Sequence, residues 1–251
     1  MTIASDIVAV VPSEPTMAMI HTTTVDLFRV ICGNDSLTPQ TCPVMHTDLT
    51  YFFYGRPAYR PGPISTTNTN LDSRPVIMLF RRGAIHAQGI YPCDTGAHDR
   101  KFYSPYLDGI TFDDLDCITV ANADKRLVTR YFESNERYFY GEVREVLNPL
   151  PLSSVAKKYH ALLTSTDSTD CDDRSRTIEL TNNAVIDLSK MLEQVILPDF
   201  LLADGHVAPV VNRWKSDGIV IRHYRPQRLT NAGRTVEQLF PVVGSLQGVP
   251  S

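Results

Sequence analysis

The chain has 251 residues, 43% of them hydrophobic and 21% charged, with a formal charge of −4. That length supports a substantial core, the absence of any apolar run near ~18 residues argues against a membrane span, and the charge gives no global attraction to nucleic acid, leaving only a local basic patch open. No basic stretch precedes Asp6, so a secretory leader is not expected. The five cysteines, Cys32, Cys42, Cys93, Cys117 and Cys171, are odd in number and form no Cys-x-x-Cys pair. This favours a reduced, cytoplasmic setting over a zinc ribbon or a disulfide scaffold.

In chain order, residues 1–16 carry Pro12 and Pro15 and read as a loosely attached arm. Met17 to Val25 reads as a strand, with His21 and Thr23 on the face opposite Ile20. Asp26 fits an N-cap for a short helix over Leu27 to Cys32, stopped at Gly33. Leu49 to Arg60 is the stretch around which the chain is organised. It begins as an aromatic strand, Tyr51-Phe52-Phe53-Tyr54, and stops at Gly55 and Pro57. One face of that strand can be buried. The other, with Arg56, Tyr59 and Arg60 beyond it, could hold something flat and anionic between rings and guanidinium groups. The plainer alternative is a core strand followed by a proline-rich turn.

Residues 62–73 read as a loop and candidate lid, and Val76 to Phe80 as a strand buried on both faces. Residues 83–108 look irregular, with Cys93-Asp94-Thr95-Gly96-Ala97-His98 as their most chemical piece. Ala123 to Phe132 has helical spacing, Tyr138 to Val146 alternates weakly like a strand, and Val155 to Leu163 looks helical. Thr177 to Thr181 reads as a strand with Glu179 opposite Ile178 and Leu180, and Val195 to Pro198 and Ile219 to Tyr224 as further strands. Residues 212–234 carry six Lys or Arg against one acid, and the tail after Phe240 looks unstructured. The expected class is α+β, with a single domain over 17–228, an arm before it and a tail over 229–251.

His21, a tyrosine of the 50s strand and Glu179 thus fall, in that order, on the polar sides of separate strands. That order resembles the ADP-ribosyltransferase fold superfamily, whose poly(ADP-ribose) polymerase-like branch carries a His, Tyr, Glu trio on successive strands of a split, mainly antiparallel β-sheet. Ile20-His21-Thr22-Thr23 is similar to that branch's first strand, with Thr22 where Gly is common, and Leu37-Thr38-Pro39 is similar to the exit from its short helix. The run Tyr51 to Tyr59, and Arg174-Ser175-Arg176 ahead of Glu179, are similar to bacterial DNA-targeting ADP-ribosyltransferase toxins.

The resemblance implies NAD as co-substrate and transfer of ADP-ribose to a nucleic acid or protein acceptor. It also implies a toxin or phage-defence setting with a neutralising protein partner. Glu179 would stabilise an oxocarbenium-like state, and His21 and Thr23 would bind the ribose and amide ends of NAD. Tyr51, with Tyr54 or Tyr59, would stack on nicotinamide, and Arg56 would clamp the pyrophosphate. Glu136 and Glu142 are reserve carboxylates. Two other classes stay open: a non-catalytic binding or assembly protein using the Tyr/Arg-rich strand end as its interface, and a cysteine hydrolase built on Cys93 with His98.

Overall fold

The structure, a computed structural model, describes residues 2–58, 70–151, 153–165, 173–227 and 232–250, the last without the side chains of 232–234. In chain order it forms α1 (Ile3–Ile7), β1 (Met19–Thr24), α2 (Val25–Asn34), β2 (Ser36–Leu37), β3 (Gln40–Thr41), β4 (Asp48–Tyr54), β5 (Pro75–Phe80) and β6 (Gly89–Tyr91). A helical stretch follows: α3 (Thr95–Asp99), α4 (Phe112–Leu115), α5 (Ala123–Tyr131), α6 (Asn135–Tyr140) and α7 (Ser154–Thr164). The chain closes with β7 (Glu179–Asn182), β8 (Ile186–Asp187), α8 (Leu188–Met191), β9 (Leu192–Pro198), α9 (Val207–Ser216), β10 (Val220–Tyr224) and α10 (Ala232–Gln247).

The main sheet runs β10-β9-β5-β1-β4-β7-β6, with β3 paired to β4, and every pairing in it except the parallel β9–β10 pair is antiparallel. The fold is therefore α+β. β5, between β9 and β1, has all six residues buried, as an uninterrupted apolar run requires. β1 is rich in β-branched threonine, and Thr24 ends it by turning its hydroxyl onto the Leu27 N–H to start α2. β4 stops at Gly55, where φ is 64° and an added Cβ would lie 2.5 Å from the Met17 sulfur.

Several expectations change. The N-terminal arm is a helix with Ile3 and Ile7 fully buried, anchored by a buried ion pair between Asp6 and Arg130 at 2.8 Å. The tail beyond residue 229 forms α10, which buries Leu239 and Val243 and passes the Gln247 amide oxygen to the Ala18 N–H at 2.9 Å. Tyr138 begins no strand: it lies in α6, capped by Ser134 and ended by Gly141 at φ 72°. Residues 83–108 contain β6 and α3. α2 runs through Gly33 and stops at Asp35 in the left-handed region. No helix among the described residues is long and apolar enough to cross a membrane.

Candidate functional site

β1 and β4 are paired only at Met19 with Tyr54 and Ile20 with Phe53. Beyond those pairs each keeps its other neighbour: β1 stays on β5 as far as Thr24, and β4 stays on β7 as far as Thr50. The ladder therefore forks at His21 and Tyr51. Across the opening, His21 Nδ1 lies 2.8 Å from the Tyr51 carbonyl oxygen, a hydrogen bond that puts the ring proton on Nδ1 and leaves Nε2 an acceptor.

α2, β2 and β3 cover the fork and leave a cavity of about 440 Å³. Its polar wall includes His21, Thr22, Thr23, Cys42, Thr50 and Tyr51, and its apolar wall includes Leu27, Val30, Ile31, Leu37 and Leu49. No Lys, Arg, Asp or Glu lines it among the described residues. Two of its hydroxyls, Thr22 Oγ1 and Thr50 Oγ1, are buried without a hydrogen-bond partner, and Thr50 as a whole is only 4% exposed. Buried polar atoms are rarely left so, and two such orphans among the residues of one cavity mark a place where a ligand's polar groups fit.

The sequence-derived residues divide. His21, Thr23 and Tyr51 line the cavity together. Burial pushes the partly exposed His21 below its ordinary 6.5, against the raising effect of the Tyr51 carbonyl, so the ring is neutral. Tyr54 does not line the cavity: its hydroxyl accepts the Met17 N–H at 3.0 Å, and its ring is 1% exposed beside Tyr138. The pitch of two residues along β4 decides this, because Tyr54 pairs with Met19 on the closed side of the fork.

Arg56 is also no clamp. It is 4% exposed, donates to the Arg176 carbonyl at 3.0 Å, and lies between the Tyr138 and Phe240 rings, 5.7 Å from each centroid. A guanidinium so enclosed ties β4 to α6 and α10 and has no route to a phosphate. Tyr59 and Arg60 lie outside the described residues.

Glu179 stands apart from His21. Phe53 faces both Ile20 and Glu179 in the ladder, so Glu179 leaves the sheet on the Ile20 face, and His21, the next residue, leaves on the other. The carboxyl is 2% exposed and accepts the Thr95 hydroxyl at 2.5 Å and the Thr95 N–H at 3.3 Å. Burial first, and then Asp94, hold it well above the ordinary carboxylate range, against the lowering effect of Thr95. Glu179 nevertheless lies one layer behind the cavity wall. Tyr51 shares its face and feels its charge, and the Cys42 sulfur, which the Tyr51 hydroxyl reaches at 2.6 Å, acts electrostatically on Glu179 in turn.

Other candidates fall away from the fork. Cys93 is fully buried, its thiol is pushed well up by burial, and His98 is occupied by the Ile110 carbonyl at 2.9 Å, so the hydrolase pair does not form. Glu136 and Glu142 are exposed and outside the cavity lining. In the basic stretch, Arg213 is paired with Asp35 at 2.8 Å. Thr50 and Cys42 were not singled out from the sequence; Thr50 adjoins Tyr51, which is the one signal that pointed towards it.

Neither a family model, nor a curated protein, nor a solved structure matches the chain. The functional reading therefore rests on the site itself.

Proposed function

We propose that the chain binds NAD in the fork and transfers its ADP-ribose to a macromolecular acceptor, nucleic acid or protein. The observation that carries this reading is the order β1-β4-β7: the strands bearing His21, Tyr51 and Glu179 are neighbours, and the ladder between the first two ends at Ile20–Phe53, next to His21 and two residues from Tyr51. This agrees with the trio on successive strands of a split sheet that the resemblance implies. The unpartnered Thr22 and Thr50 hydroxyls and the His21 Nε2 acceptor supply partners for ribose hydroxyls and a carboxamide, and Tyr51 supplies a ring to stack on.

The uncharged lining sets the pose. The nicotinamide-riboside end, whose single positive charge is spread over the pyridinium ring, enters the cavity, and the doubly anionic pyrophosphate stays outside it. Cleavage by Glu179 requires the carboxyl to give up its proton and its Thr95 partner and to reach the ribose from the Tyr51 side, because it leaves the sheet on the face opposite His21. A toxin or phage-defence role and a neutralising protein partner follow from the resemblance alone.

One observation favours a second reading, a binding module without turnover: the Glu179 carboxyl is enclosed, and its burial disfavours the charged form. Of the Tyr/Arg strand end, Tyr54 and Arg56 are buried and offer no interface, while Tyr59 and Arg60 lie outside the described residues. The deciding experiment incubates labelled NAD and cell extract with wild type and with Glu179→Gln, following NAD binding, nicotinamide release and label on protein, RNA and DNA. Transfer by the wild type, reduced about 100-fold or more in the variant with binding kept, is the expected result. Binding without nicotinamide release selects the second reading, and no binding at all removes both.

A further inference from the structure

Cys42 lines the cavity, yet the reading above gives it only a place in the wall. It follows β3 in a tight turn whose backbone closes from the Cys42 N–H to the Thr47 carbonyl at 2.8 Å and from the His46 N–H to the Cys42 carbonyl at 2.9 Å. Its sulfur accepts the Val44 N–H at 3.3 Å, the Met45 N–H at 3.2 Å and the Tyr51 hydroxyl at 2.6 Å. The turn accounts for the two backbone donors. It does not account for the third, a phenol brought from β4, or for the position of this sulfur on a cavity wall.

Donors converging on a sulfur stabilise negative charge as it builds there, which is the condition for nucleophilic attack. The independent sign of a ligand is Thr50, a residue of the same cavity lining that is 4% exposed and whose hydroxyl has no partner. The other described cysteines, Cys32, Cys93 and Cys117, do not line the cavity.

We propose that Cys42 is a nucleophile of the fork, which attacks the anomeric carbon of a pyridinium N-glycoside and makes this chain an acceptor of its own ADP-ribose. The inference rests on the NAD reading and adds a covalent site to it. The sulfur lone pair forms the S–C1′ bond as the C1′–N bond breaks. The electron pair of the broken bond returns to the ring, so neutral nicotinamide leaves, the thiol proton goes to solvent, and an S-glycoside remains on Cys42. Nothing is oxidised or reduced.

Two measurements on the full chain test this. In the first, iodoacetamide is added without NAD, and alkylation is mapped by peptide mass. Cys42 is expected to react about tenfold faster than Cys32, Cys93 or Cys117, and to slow in Tyr51→Phe, which keeps the ring and removes the donor. Equal, slow labelling of all four overturns the proposal.

In the second, intact mass is followed with NAD. One ADP-ribosyl group is expected, mapped to the Cys42 peptide, released by mercuric ion as S-glycosides are, and absent in both Cys42→Ser and Cys42→Ala. Nicotinamide release with no adduct on Cys42 overturns the proposal and leaves the NAD reading standing. Rapid alkylation of Cys42 with no nicotinamide release removes the NAD reading and this glycoside with it.

Discussion

Burial first, and then the nearby Asp94, raise the Glu179 carboxyl above its ordinary value, with Cys42 adding to the effect and Tyr51 and Tyr91 within its electrostatic reach. A carboxyl raised above its ordinary 4.5 in the folded state contributes stability that is full below that value and lost as pH rises through the folded value. Wild type is therefore expected to lose stability towards Glu179→Gln as pH is raised from about 4.5, since the amide keeps the shape and does not titrate. Denaturant unfolding of the pair across that range reads the difference, and two parallel curves would contradict the assignment. Thr50 offers the complementary test. Thr50→Val keeps the volume and removes an unpartnered hydroxyl, so the empty protein should gain about 1 kcal/mol while NAD binding weakens. Thermal melts with and without NAD distinguish this from a plain packing change, which would move both melts together.

Among the elements, α1 shows how a segment that looks like an arm becomes part of the core. Asp6 is buried against Arg130, which donates through Nε at 2.8 Å, and it also accepts the Tyr131 hydroxyl at 3.1 Å. Asp6→Ala strands a buried guanidinium and should cost about 3–5 kcal/mol, read as a lower denaturant midpoint with the slope unchanged. The sequence displayed the strands well, because β5 is a continuous apolar run and β1, β4 and β7 carry β-branched or aromatic residues between turn signals. It concealed the helices whose signals conflicted. Pro241 argues against α10, which nevertheless continues through it. Tyr138-Phe139-Tyr140 suggested a strand, although Ser134 and Gly141 supplied the two caps of α6. Of the site, alternation marked His21 and the aromatic strand, but the choice between Tyr51 and Tyr54 stayed open until the pairing of Tyr54 with Met19 was known. The face taken by Glu179 was not, because it depends on the register of β4 against both neighbours, which no local pattern encodes.

For the whole molecule, His21 and Glu179 act on stability from opposite ends of the pH scale. His21 is lowered by burial, so its contribution is complete above 6.5 and is lost as pH falls through its folded value. His98 is lowered for the same first reason, its ring set edge-on to Phe112, and shares that acid limb. His21→Asn should flatten part of the acid limb and leave the alkaline limb to Glu179, as unfolding curves of the two single variants and the double variant would display. Additivity is expected, since the two side chains leave opposite faces of the sheet.

The parting of β1 from β4 makes the molecule two leaves joined along a short spine at Met19–Tyr54 and Ile20–Phe53. Inside the crotch, the backbone amides that would have bridged the leaves have no partner strand, so local opening there is cheaper than elsewhere in the sheet. Anything wedged between the leaves braces both at once. Amide deuteration should then slow together at 21–24 and 50–51, beyond the part of β4 that β3 pairs, while β9 and β10 keep their rate.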